Sequence, residues 1–333
     1  MDPLTQGLLG ASLSLSACKK QHLRVAGVLG FLAAMAPDLD VLIRSSSDPL
    51  LFLEYHRHFT HSLLFIPFGS LICALALHPI FAKKRGLSFK QSWLYCALGY
   101  GTHGLLDACT SYGTQLLWPL SSERYAWNLI SVIDPLFTLP ILILIGFSLM
   151  KRKHSLARLA IAWALIYLSV GIVQKERAEA VGSKLAYERE HVPVQLIAKP
   201  SFGNILLWKV VYEYEGKFYV DAVRTGDVIS TYSGESIDKL VLSRDFPWLN
   251  KSSQQAKDVE RFRNFSDGFL ARDPDDASRV IDVRYSMAPN QIQPLWGIEL
   301  SAEASADSHA KYVTLRDNSS ASRKIYLGML LGH

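Results

Sequence analysis

The sequence predicts a mainly α-helical membrane protein: a polytopic bundle of about six helices, the first one short, followed by a small soluble α+β domain. Three observations carry that expectation. Mean hydropathy is +0.14 although 20% of the 333 residues are charged. The long apolar runs all lie before residue 174, whereas charge is spread evenly after it. Basic residues also gather in alternate connectors between the runs, as membrane topology demands. The chain therefore divides into a membrane-embedded part, 1–173, and a soluble part, 174–333.

Asp2-Pro3 opens the first helix, a capping carboxylate followed by proline at the first helical position. Leu4 to Cys18 is short of the roughly twenty residues a full span needs and is read as a short or re-entrant helix. Val25 to Ile43 follows, interrupted late by Pro37-Asp38-Leu39-Asp40. Leu63 to Phe81 covers roughly 28 Å at about 1.5 Å per residue, close to the hydrocarbon thickness. Ser92 to Cys109, Leu129 to Met150 and Leu156 to Val173 complete the set.

Lys175 to Glu190 is charged and continues the last helix. Val194 to Ala198, Ile205 to Tyr214 and Phe218 to Arg224 are β-rich, with Glu215-Gly216-Lys217 as a hairpin turn. Ser252 to Phe265 reads as a serine-capped helix, and Val280 to Tyr285, Trp296 to Leu300 and Lys311 to Leu315 as further strands. No cleavable signal is expected, because Lys19-Lys20 follows the first apolar run where a secretory signal has its charges before it. Cys18, Cys73, Cys96 and Cys109 form no C-x-x-C pair and read as small helix residues. The net charge of +5 sits in connectors beside apolar helices, which argues against nucleic acid.

Alternate connectors carry eleven lysines and arginines (Lys19, Lys20, Arg24; Lys83, Lys84, Arg85, Lys90; Lys151, Arg152, Lys153, Arg158) against three (Arg44, Arg57, Arg124) in the others. The basic side is expected to be cytoplasmic, which puts residues 56–61, the segment after Asp107 and everything after Val173 outside. This assignment uses only lysine and arginine. It nevertheless brings Asp38, Asp40, His56, His58, His61, His103, Asp107 and Asp134 to one depth, near the outer face.

His103 and Asp107 share a helix face at i and i+4. A carboxylate near the bilayer centre costs roughly 2.5–3.5 kcal/mol, and one divalent cation compensates several of them. Imidazole with carboxylate suits zinc, manganese or iron, and the lack of a thiolate argues against a closed structural zinc site. An open coordination position acidifies bound water. Asp40 is the candidate general base, and Arg57 the group to hold a substrate phosphate or carboxylate. His58 reads as a bystander. His22, His78 and His154 belong to basic connectors, and His191 and His309 to the surface.

Met1-Asp2-Pro3-Leu4-Thr5-Gln6, Pro37-Asp38-Leu39-Asp40, His56-Arg57-His58-Phe59-Thr60-His61-Ser62, Asp107 with Thr110-Ser111-Tyr112-Gly113-Thr114-Gln115, and Ile133-Asp134-Pro135-Leu136 occur in that order. As an ordered set over roughly residues 1 to 175 they resemble the YdjM-like inner-membrane, predicted metal-dependent hydrolases of bacteria. The resemblance implies a multi-pass protein of the inner (cytoplasmic) membrane, akin to zinc-dependent phospholipase C. Its implied metal set is Asp38, Asp40, His56, His61, His103 and Asp107, with Asp134 in support. His58 stands where the family has a small residue, and Asn128 where an acidic one is common.

The expected function is a membrane-bound metallohydrolase, using one or more divalent ions, zinc first, on a lipid or lipid-linked phosphoester at the outer face. The soluble part is then periplasmic. Two alternatives differ in class: an ion or proton pathway, which needs polar residues strung through the whole bilayer, and a non-catalytic scaffold with a structural metal.

Overall fold

In a computed structural model, which describes residues 1–316 and 319–333, Asp2 starts the first helix. Its carboxylate accepts from Thr5 N at 3.0 Å, and Pro3 occupies the first turn of α1 (Pro3–Ala17). Then come α2 (Leu23–Met35), a 3-10 segment Ala36–Leu42, the short α3 (Leu51–Tyr55), and α4 (Ile66–Leu77) running on through His78–Ala82. Ser88 and Gln91 form a capping box for α5 (Phe89–Ala108). Asp134 caps α6 (Pro135–Lys151), and α7 runs His154–Glu188.

Among the described residues three helices are long and apolar enough to cross a membrane: Lys20–Leu42, Leu63–Arg85 and His154–Glu188. That is fewer than the about six expected. α1 has 15 residues and α6 has 17, and α5 dilutes its apolar content with Ser92, Thr102, His103 and Asp107. Two compact units result, Met1–Leu42 with Tyr55–Ile172 and Phe202–Asn204, and Ile43–Glu54 with Val173–Ser201 and Ile205–His333.

In the first unit small residues let α1, α2 and α5 touch backbone to backbone. A Cβ on Gly99 would lie 2.2 Å from Gly30 O, and one on Gly10 would lie 2.6 Å from the same oxygen. Such close approach is how helices pack where lipid removes the hydrophobic drive between them. It also fixes His103, one turn beyond Gly99, against the end of α2. All four cysteines are free.

Among its described residues the second unit holds two four-stranded antiparallel sheets. The first runs in order β1 (Gln195–Pro200), β2 (Leu207–Tyr214), β3 (Lys217–Thr225), β4 (Ile229–Asp238). Glu215 and Gly216 turn the β2–β3 hairpin with φ of 47° and 72°, the left-handed geometry two-residue hairpins need. α8 (Leu242–Asp245) and α9 (Gln254–Phe265) separate it from the second sheet, β5 (Leu270–Arg272), β6 (Arg279–Asp282), β7 (Trp296–Glu299) and β8 (Lys311–Thr314), after which comes α10 (Ser320–Leu331). Val211, Phe218 and Val220 of the first sheet bury against Phe269 and Ile281. Ile43–Glu54, expected as a membrane connector, groups here because Arg261 pairs with Asp48 at 2.8 Å and Glu54 at 2.5 Å.

Lys199 and Lys209 face each other across β1 and β2, both buried. Burial pushes the Lys209 ammonium down to about 7, with Ser286 Oγ and Gln291 O accepting its hydrogens at 2.8 and 2.6 Å. The unfolded chain keeps that proton up to about pH 10.4. Between these values the unfolded state binds more protons at Lys209, so this residue makes stability rise with pH from about 7 towards 10, and Lys199, which burial also holds well below its ordinary value, adds a rise of the same sign. Lys209→Met is expected to raise the melting temperature at pH 7 and to lessen the slope of that rise, with the share from Lys199 remaining, read by thermal unfolding of the full chain in detergent. Unchanged slope would rule out Lys209 as its source.

Candidate metal centre

The site begins where α2 stops being α-helical. Pro37 has no N–H to give Ala33 O, and Ala36 N takes that carbonyl instead, tightening the chain into the 3-10 segment that bears Asp38 and Asp40. Ala34 O turns to His103, whose Nδ1 donates to it at 2.5 Å. A carbonyl only accepts, so the proton is on Nδ1 and the neutral ring keeps its lone pair on Nε2.

His61 lies on the 3-10 turn Phe59–His61 and is set the same way. Its Nδ1 is 3.0 Å from Thr60 Oγ1, which itself donates to Asp40 Oδ2, and 3.2 Å from that carboxylate oxygen. Tyr100 Oη donates to Thr60 O at 2.7 Å, and Gly104 lets the His61 backbone settle onto α5. A Cβ on Gly104 would fall 2.2 Å from His61 O.

The two Nε2 atoms then meet at 2.9 Å, with Asp38 Oδ1 3.5 Å from His61 and 3.4 Å from His103. Asp107 Oδ2 is 3.3 Å from His61 and 3.8 Å from His103. Two lone pairs facing at that distance repel, and either a proton between them or a cation that accepts both relieves the repulsion. Asp107 Oδ2 is buried and, among the described residues, accepts no hydrogen bond, although Arg57 Nε forms an ion pair with it at 3.0 Å. A tetrahedral ion with bonds of about 2.0–2.1 Å spaces its ligand atoms about 3.3–3.4 Å apart, which these separations bracket. The donor set fits a divalent metal ion.

Asp38, Asp40 and His56 form a second group of the same kind, so Asp38 belongs to both. His61, His103 and Asp107 are buried, while the Asp38 side chain is 21% exposed and that of His56 34%. The cluster opens on the Asp38–His56 side.

Several sequence-assigned roles change. Asp40 is not a free base: Oδ1 is 2.8 Å from His56 Nδ1, and Oδ2 accepts from Arg57 N at 3.0 Å and from Thr60 Oγ1 at 2.9 Å and lies 3.2 Å from His61 Nδ1. It orients two imidazoles, as outer carboxylates of metal sites do. Arg57, expected to hold a substrate phosphate or carboxylate, faces the cluster instead of the opening. It is buried, with Nε 3.0 Å from Asp107 Oδ2 and Nη1 donating to Thr110 Oγ1 at 2.9 Å. Asp134 joins neither group, because it caps α6: Oδ1 accepts from Leu136 N and Phe137 N, and Oδ2 from Tyr167 Oη at 2.8 Å. His58 packs against the rings of Tyr55 and Trp118.

One residue was not assigned any role from sequence. Gln6 Nε2 donates to Asp107 Oδ1 at 2.9 Å, and the Met1 amino group lies against the same oxygen. Gln6 stands in the quoted Asp2-Pro3-Leu4-Thr5-Gln6 run; an uncharged polar residue buried in a helix of small apolar ones was the available signal.

Gly104→Ala keeps every candidate ligand and is expected to weaken metal affinity about 10–100-fold, the effect of disturbing an outer support. Retention of metal through a chelator titration at wild-type strength would show that the His61 backbone needs no such fit.

These features define an inner-membrane protein with transmembrane helices and a buried aspartate–histidine cluster able to bind a metal ion. Residues 1–178, more than half of the chain, match the family described as YdjM inner membrane protein, and the chain belongs to it. It is 24% identical over 197 residues to the uncharacterized protein YfhP of Bacillus subtilis (strain 168), 59% of this chain and 58% of that protein. It is 36% identical over 107 residues to inner membrane protein YbcI of Escherichia coli (strain K12), 31% of this chain and 60% of that one. The alignments thus span about three-fifths of each relative's length. No solved structure matches the chain.

Proposed function

We propose that this chain is a membrane-bound, metal-dependent hydrolase acting on a lipid or lipid-linked phosphoester at the outer face of the inner membrane. The observation that carries the reading is the meeting of Asp38, His61, His103 and Asp107 around facing imidazole nitrogens. These four residues would hold the ion, and zinc suits a set of two imidazoles and two carboxylates. When bound there, it supplies acidification of a water molecule and polarisation of a phosphoryl oxygen.

The chain's own groups do the rest. Asp40 fixes the His61 tautomer, while Arg57 and Gln6 hold Asp107. His56, pinned by Asp40 at Nδ1, is open at the mouth of the cluster and exchanges a proton at Nε2, taking one from water or returning one to the leaving oxygen. Exposed Leu39 and Leu42 beside Asp38, and Leu64 and Phe68 after His61, offer an apolar path for the substrate's hydrocarbon chain. The uneven lysine and arginine distribution supports a multi-pass topology with residues 174–333 in the periplasm.

The test is turnover of a radiolabelled membrane-lipid extract by zinc-loaded protein in detergent. Release of a water-soluble phosphorylated product is expected, abolished by chelation and lowered about 10²–10⁴-fold in His56→Ala. An extract left intact by the loaded wild type would sink the hydrolase.

A further inference from the structure

At the other end of α2, about fifteen residues and roughly 22 Å along the helix from Asp38, a second site lies open. It is a cleft of about 490 Å³, bordered by Lys20, Arg24, Arg85 and Arg152 with no Asp or Glu in its lining. Its floor is apolar, made by Leu23, Val25, Val28, Phe81 and Leu87. The cations come from three places in the chain: the start of the span Lys20–Leu42, the end of the span Leu63–Arg85, and the residue after α6. All four are exposed.

Arg152 ends α6 in the left-handed conformation, φ 50°, where glycine stops a helix with less strain. Arg85 is held in place by donating Nη1 to Phe81 O at 2.7 Å. Membrane orientation requires positive charge in these connectors. It does not require the charges to converge over an apolar floor, and that juxtaposition suits a molecule with an anionic head and a hydrocarbon tail. Basic clefts between helix ends recognise anionic lipid headgroups in this way.

We propose that this cleft binds one anionic phospholipid, its phosphates held by Lys20, Arg24, Arg85 and Arg152 and the first part of an acyl chain lying on Val28 and Phe81. Four cations without an acid favour a headgroup with two phosphates, diphosphatidylglycerol, over one with a single charge. The site stands apart from the aspartate–histidine cluster and does not depend on hydrolysis.

Native mass spectrometry of the full chain in detergent, titrated with diphosphatidylglycerol, phosphatidylcholine or inorganic phosphate, tests it. One diphosphatidylglycerol per chain is expected to be retained, with phosphatidylcholine lost and inorganic phosphate failing to displace it. At about fivefold per cation, R24Q/R85Q/R152Q is expected to weaken retention about a hundredfold. R152G relieves the backbone at that position, so it keeps the fold, and is expected to weaken retention about fivefold. K83Q/K84Q removes two charges from the same connector outside the cleft and is expected to leave retention within about twofold. Equal loss in K83Q/K84Q and R24Q/R85Q/R152Q, equal binding of phosphatidylcholine, displacement by inorganic phosphate, or wild-type retention in R152G would each overturn the assignment.

Discussion

Protein purified with His103 replaced by alanine is expected to lose its tightly bound divalent metal, with affinity falling at least about 100-fold. Disturbing an outer-sphere partner already costs about 10–100-fold, and removing a ligand atom costs more. His103 offers a lone pair at Nε2 only because Ala34 O takes its Nδ1 proton. His61→Ala is expected to match it. Asp40→Asn keeps all four ligands of the inner group and is expected to fall between, at about 10–100-fold.

Asp134→Ala is the contrast. It removes an N-cap and the buried acceptor of Tyr167 Oη, costs about 2–4 kcal/mol of stability, and leaves metal content unchanged. Inductively coupled plasma mass spectrometry after gel filtration reads all four variants. A wild type no richer in metal than His103→Ala, or an Asp134→Ala protein as poor as His103→Ala, would remove the basis for the metal centre.

The contrast also shows where residue pattern stops informing. Asp2-Pro3 and Asp134-Pro135 are the same dipeptide and do the same work, starting a helix. Only the first reads that way from sequence, because Asp134 also falls at the depth of the other acids and depth alone cannot separate a cap from a ligand. The His103–Asp107 spacing was legible because it is local to one helix. The partnership of Asp107 with Gln6 and Arg57 joins residues 101 and 50 positions apart, and no periodicity records it.

In the second unit the Glu215-Gly216 turn and the β-branched strands around it were readable from turn chemistry. β4 was not, since Ile229–Asp238 is largely exposed and rich in serine, and lacks the apolar alternation that marks a half-buried strand. α10 was missed for a related reason: Ser320–Leu331 holds its apolar residues in one short run after a charged, serine-rich stretch.

Replacing Arg57 by methionine is expected to cost up to about 3–5 kcal/mol of stability, because it takes the guanidinium from the buried Asp107 carboxylate and leaves it facing the Met1 amino group and Gln6. Arg57 and Asp107 are both buried and meet at 3.0 Å, and the guanidinium also ties Thr110 into the same corner through its bond to Oγ1 at 2.9 Å. Asp107→Asn is expected to destabilise comparably, since it strands the guanidinium instead. Arg57→Met combined with Asp107→Leu is expected to recover part of the loss in thermal unfolding, because the guanidinium and its carboxylate are removed together, while the Met1 amino group and Gln6 lose their acceptor. Metal binding would stay lost in the double variant, which separates the two duties of Asp107. If Arg57 held substrate instead, Arg57→Met would raise KM and leave the melting temperature within a degree or so of wild type. Melting at the wild-type temperature would therefore refute the pairing role, and a large loss partly repaired by the second substitution would assign Arg57 to holding a candidate ligand in place.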